Sequence, residues 1–195
     1  MNIGIYLYQY AEILDFSGPF EVFSTATRVC ENDSPFEVFL ISETAGEVVE
    51  ARAGYKVVSD YGFDNHPPMD VLVIAGGVHT GEMEKPQVIE WIAREASVVS
   101  ITASVCTGVF LLAKAGVADT QTVTTHWEDI ADLRALFPQL EVIENVRWVD
   151  EGRLVTSGGI SAGIDMSLHL VSRLHSPDLA EATAKQMEFD WTRNS

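Results

Sequence analysis

Basic residues are scarce in this chain. Lys and Arg number 12 against 29 Asp and Glu, a formal net charge of −17 over 195 residues. None precedes Arg28. Phosphate binding draws on a clustered cationic face, so the balance argues against a nucleic-acid partner. Its ordinary consequence is solubility. Cysteine is almost absent as well. Cys30 and Cys106 are the only two, too few for a disulfide framework, and a reducing, cytoplasmic setting is expected. No basic segment opens the sequence, and Glu12 and Asp15 interrupt what would be the apolar part of a signal peptide. Residues 96–113 carry no charge, but Ser97, Ser100, Thr102, Ser104, Thr107 and Gly108 break their apolar character. A buried strand, a turn and a buried helix explain that stretch better than a membrane span does. Repeats, low-complexity stretches and linkers are missing too, which points to a single domain over 1–195.

What is present is an alternation of short apolar runs with segments of helical period. Ile3–Tyr8, Phe36–Ile41, Val98–Ala103, Val142–Val149 and Leu154–Thr156 read as strands. Val71–Ala75 is continuous and β-branched, the mark of a strand buried on both faces. Glu47–Ala51 and Tyr55–Ser59 read as a hairpin around Arg52-Ala53-Gly54. Helices are expected over Pro19–Val29 (capped by Ser17), Pro86–Glu95, Val109–Ala115, Glu128–Phe137, 162–174 and Leu179–Phe189. The pattern predicts an α/β fold, with a mostly parallel central sheet covered by helices on both faces. In such sheets ligands collect at the carboxyl ends of the strands, so the residues just after each buried strand matter most.

Cys106 is the first of these. It follows a buried strand and precedes an apolar helix in ASVCTGVFLLA, a strand–turn–helix context like that of a nucleophile elbow. Free N–H groups at a helix start favour thiolate, so a depressed thiol pKa is expected. Cys30, near a helix end, reads as an inert packing residue. Gly76-Gly77 follows the strand DVLVIA, and bare backbone N–H groups there could stabilise developing negative charge. Asp15, past the first strand, is either an exposed carboxylate at a helix start or a proton donor to a species bound at Cys106. His126 is a possible accessory base, more often structural, and His79 is a weaker candidate. The five His show no metal-ligand spacing, so neither a metal nor a cofactor is expected.

Four segments together resemble the DJ-1/PfpI superfamily. They are LDFSGPFEVF (14–23), DVLVIAGG (70–77), SVCTGVFLLAKAGVADTQTVTTHW (104–127) and LVTSGGISAGIDMSLHLV (154–171). The resemblance covers nearly the whole chain. It implies a flavodoxin-like three-layer sandwich and is nearest to the isonitrile hydratases and to the amino-terminal sensor domains of AraC-type regulators. It implies that Cys106 is the nucleophile, that Asp15 is its acidic contact, and that the backbone amides of Gly77 and Thr107 form an anion pocket. Asp165 would sit at a structural helix start near the site, and a homodimer is implied. Thr107 stands where protease-like members carry His, which weakens a peptidase reading. His126-Trp127-Glu128 comes too early for the late H-x-E pair of glutamine amidotransferases. AraC-type regulators continue into helix-turn-helix motifs; with the sequence stopping at Asn194-Ser195, a DNA-binding half is expected to be absent.

The leading expectation is a hydratase of isonitrile type, a lyase yielding N-substituted formamides. Cys106 attacks the small-molecule substrate, Asp15 supplies a proton and water resolves the thioimidate. A glyoxalase-like or deglycase-like enzyme acting on aldehydes through Cys106 is the first alternative. The second is a ligand or redox sensor in which Cys106 is oxidised without turnover.

Overall fold

A computed structural model of the chain describes residues 1–31 and 33–193. In chain order the elements are β1 (Asn2–Tyr6), α1 (Ile13–Val29), β2 (Glu37–Ile41), β3 (Val48–Glu50), β4 (Lys56–Val58), β5 (Val71–Ile74), α2 (Thr80–Met83) and α3 (Pro86–Val98). There follow β6 (Ile101–Ser104), α4 (Gly108–Lys114), β7 (Thr122–Val123), α5 (Ile130–Leu136), β8 (Glu141–Val142), β9 (Trp148–Asp150), β10 (Leu154–Ser157), α6 (Ala162–Leu174) and α7 (Pro177–Gln186).

Six strands form the main sheet in the order β2-β1-β5-β6-β10-β9. All neighbours are parallel except β9, which runs antiparallel to β10. The fold is therefore the expected α/β layer structure. Alternation along the strands feeds two apolar layers. Ile3, Ile5, Val71 and Val73 face the layer under α1, α6 and α7. Tyr6, Leu72 and Ile74 face the layer under α3 and α4. All four residues of β5 are fully buried, as its β-branched run predicts. Each such side chain contributes roughly 1.5–3 kcal/mol by leaving water. The excursion after β2 is the expected antiparallel hairpin, with Val48 opposite Val58.

Three expectations need correction. Helix α1 starts at Ile13, six residues before Pro19. Ser17 is therefore no cap; its hydroxyl bonds back to the Ile13 carbonyl at 2.7 Å from inside the helix. Pro19 is tolerated in the helix interior, where it leaves the Asp15 carbonyl without its usual donor. Next, 142–149 is not one strand. Asn145, in a left-handed turn at φ 63°, separates β8 from β9, a conformation Asn tolerates better than most residues. Strand β8 pairs with β7 in a small separate sheet. Finally, Val98 closes α3 rather than opening β6. No helix among the described residues is long and apolar enough to cross a membrane.

The order of the main sheet reverses between β1 and β5, since the chain goes from β1 outward to β2 and then returns to β1's other side. A crevice at the carboxyl ends of the strands is expected at such a switch point. The segments leaving β1, β5, β6 and β10 all end there.

Candidate active site

Register brings the candidate residues together. Ile74 of β5 lies opposite Ser104 of β6, so Gly76-Gly77 and Cys106 leave neighbouring strands side by side. The Glu12 N–H donates to the Gly76 carbonyl at 2.9 Å, which fixes the start of α1, and with it Asp15, against the same loop.

Cys106 has a left-handed backbone at φ 56°, a strained conformation for a residue with a side chain. Three bonds hold it. Its N–H donates to the Gly158 carbonyl at 3.2 Å, its carbonyl accepts from Thr125 Oγ1 at 2.9 Å, and the N–H of Val105 reaches the Ile74 carbonyl at 3.0 Å. This is the sharp strand-to-helix turn expected of an elbow.

Asp15 is fully buried, not an exposed carboxylate. Its Oδ2 accepts from the Gly76 N–H at 3.1 Å. Its Oδ1 meets no partner with good hydrogen-bond geometry, although the Cys106 thiol and the Ile160 N–H are close enough to act on the carboxyl. Burial, reinforced by Glu12, pushes the Asp15 carboxyl up to about 7. The expectation of a depressed thiol pKa fails. Burial, and then the charge of Asp15, push the Cys106 thiol well up, and the Thr107 N–H on the sulfur offsets only part of this. The two groups crowd one another in a dry site, so the pair retains a proton through the neutral range.

Gly76 is what permits this proximity. A Cβ there would lie 2.7 Å from Asp15 Oδ2, 2.8 Å from Cys106 Cβ and 2.6 Å from the Thr107 nitrogen. The expected pair of free amides is not found. The Gly77 N–H donates to Thr107 Oγ1 at 2.9 Å, and that hydroxyl donates to the Gly77 carbonyl at 3.0 Å. Of the two amides, Thr107's alone faces the sulfur.

Cys106 opens on a cavity of about 440 Å³ whose lining includes Glu12, Arg52, His79, Thr107, His126 and Ile160. Arg52 Nε is 3.7 Å from Glu12 at its edge. His79 packs at 4.3 Å on Phe110, and burial lowers its pKa. His126 accepts from the Glu128 N–H at 3.4 Å and lies 3.5 Å from Asp129, with no hydrogen bond to Cys106. Asp165 is buried and paired with Arg147, a structural anchor beside the site as expected. Cys30 lies far along α1, 3.8 Å from His175 Nε2. Among the described residues no cluster of His, Cys, Asp and Glu could hold a metal.

Sequence reasoning missed two neighbours of the pair. Tyr8 buries a hydroxyl without a well-formed hydrogen bond; Glu82, Asp15, Cys106 and Thr107 all act on it. Ile160, left-handed at φ 55°, presents its N–H to Asp15. Tyr8 continues the alternation of β1 and reads as core, while nothing in the sequence marks Ile160.

Residues 1–173 match the DJ-1/PfpI family. The chain belongs to that family. Among DJ-1/PfpI relatives, it is 31% identical to an isonitrile hydratase of Pseudomonas putida over 97% of this chain and 78% of the relative. It is also 31% identical to the HTH-type transcriptional regulator GbdR of Pseudomonas aeruginosa, over 76% of this chain but only 40% of that regulator's length. A ThiJ/PfpI family protein of Pseudomonas syringae superposes with a TM-score of 0.85 at 22% identity, covering all of this chain and 77% of the other, which establishes the flavodoxin-like DJ-1/PfpI fold.

Proposed function

We propose that the protein is a cysteine-dependent enzyme acting on a small organic substrate, a hydro-lyase of isonitrile hydratase type. The observation that carries this reading is the buried pairing of Asp15 and Cys106 across Gly76, where a single Cβ would lie 2.7 Å from the carboxylate Oδ2 and 2.8 Å from the cysteine Cβ. Such a pair supplies a nucleophile and a transferable proton in one place. In the first step the Cys106 sulfur bonds to the terminal carbon of R–NC and the pair's proton passes to that carbon, giving the thioimidate R–N=CH–S–Cys. Asp15, now ionised, takes a proton from water as the oxygen adds to the same carbon. That proton passes on to nitrogen, the C–S bond breaks, and R–NH–CHO leaves with the pair reprotonated. The sum is one isonitrile plus one water giving one formamide. The Thr107 amide, facing the sulfur, stabilises the departing thiolate.

The likeness to the Pseudomonas putida hydratase over almost the full chain supports this class. The likeness to the regulator supports a second reading, a ligand sensor built on the same cavity. Steady-state turnover of isonitriles, assayed beside methylglyoxal as the aldehyde alternative, separates the three. On the leading reading Cys106→Ala abolishes formamide release and Asp15→Asn lowers it by ~10²–10⁴-fold, the usual contribution of a general acid–base group. Binding without turnover would favour the sensor. We further propose a cytoplasmic homodimer that binds neither duplex DNA nor a membrane.

A further inference from the structure

The Cys106 cavity has a neighbour. A second cavity, of about 470 Å³, lies between the segment after β7, the Asn145 turn and the start of α6. The two meet at His126 and Ile160, which line both, and Thr125 and Gly158 of the second cavity hydrogen-bond the Cys106 backbone. A Cβ on Gly159 would lie 2.0 Å from His126 Cδ2, so the imidazole rests directly on bare backbone at the junction.

The charged groups around the second cavity are already engaged. Arg147 pairs with buried Asp165 and donates to Ser161 Oγ at 3.2 Å. Glu144 lies 3.8 Å from Arg134. The Thr124 and Thr125 hydroxyls of the lining are also engaged, on the carbonyls of Ile143 and Cys106, and apolar side chains stand among the polar ones. Trp127 is 76% exposed and Ile160 40%, and Val146 belongs to the same lining. An indole is a large apolar group that proteins use where something covers it. Here the exposed ring stands beside His126, where the two cavities meet.

We propose that this second cavity is the subsite for the substrate's remote substituent, and that it favours an aromatic group, with Trp127 covering the ring while the reacting carbon sits at Cys106. The inference rests on Cys106 acting as a nucleophile toward a small organic substrate, but not on that substrate being an isonitrile.

Iodoacetamide and N-phenyl iodoacetamide test it without requiring turnover. Rates of Cys106 alkylation are read by peptide mass mapping, and their ratio is normalised to the ratio for glutathione. The phenyl reagent should be favoured by roughly tenfold or more, the scale on which apolar pockets discriminate. Trp127→Ala, checked for folding by circular dichroism, should return the ratio to the glutathione value. A wild-type ratio equal to glutathione's overturns the subsite alone. So does a preference that survives in Trp127→Ala, or a variant that halves the solution mass and leaves the ratio unchanged, since the ring would then serve self-association. Failure of both reagents to label Cys106 overturns the nucleophile and the subsite together, and failure of the phenyl reagent alone overturns the subsite.

Discussion

At the scale of single residues, the decisive feature is an acid that burial makes reluctant to ionise. Below about pH 4 Asp15 is protonated in both the folded and unfolded chain. Between there and about 7 the unfolded chain releases the proton while the folded one keeps it, so stability falls as pH rises. Above 7 the folded state carries the full cost, roughly 4 kcal/mol for a carboxyl moved from 3.8 to about 7. Asp15→Asn should therefore be no more stable than wild type in urea at pH 4 and distinctly more stable at pH 8. An equal difference at both pH values would refute the buried, proton-retaining acid. The same pair governs reactivity. Cys106 alkylation should accelerate through pH ~7, where the pair gives up its first proton, and Asp15→Asn should lose that inflection. Cys30, outside the site, supplies the internal reference for the same measurement.

At the scale of elements, α6 is tied at both ends: further along it His169 and Arg173 reach Asp150 of β9, and its first turn carries a buried charge. Arg147 binds Asp165 in the first turn of α6, and Asp165 Oδ1 also accepts from the Thr192 N–H at 2.8 Å. Removing the cation strands a carboxylate that has no exposure at all. With the Arg147 side chain about a third exposed, we expect Arg147→Ala to lose about 1–3 kcal/mol in urea unfolding, and a loss below ~0.5 kcal/mol would mean that water replaces the guanidinium. Elements of this kind divide by how local their cause is. The β-branched run of β5, the hairpin and the turn at Cys106 were legible because neighbouring residues dictate them. The start of α1 was not, because a proline that ordinarily marks a first turn sits in the helix interior beside Gly18, where α6 packs closely. The break at Asn145 hid in an apolar stretch because one polar residue in a left-handed turn leaves little trace. The acid–thiol pairing was legible as chemistry, but its electrostatic sign was not. Burial comes from strands distant in sequence, and it outweighs the helix-start amide that local reasoning emphasised.

At the scale of the whole molecule, a net charge of −17 sets the terms of association. Light scattering should return twice 21.4 kDa if the proposed homodimer forms, and 21.4 kDa if it does not. Duplex DNA should not retain the protein even at low ionic strength, where cationic contacts are strongest; salt-sensitive retention would reverse that expectation. The molecule also separates what must stay fixed from what can vary. Gly76 is locked between Asp15 and Cys106 by contacts that leave no space for a side chain of its own. The walls that would meet a substrate's remote end hang instead on the two-residue strands β7 and β8, outside the six-stranded sheet. A lineage could therefore replace Trp127, Val146 or the Asn145 turn and acquire a new diet without relearning its chemistry. A library confined to those positions should yield many folded descendants in which Cys106 still alkylates but with different preferences between the two iodoacetamides.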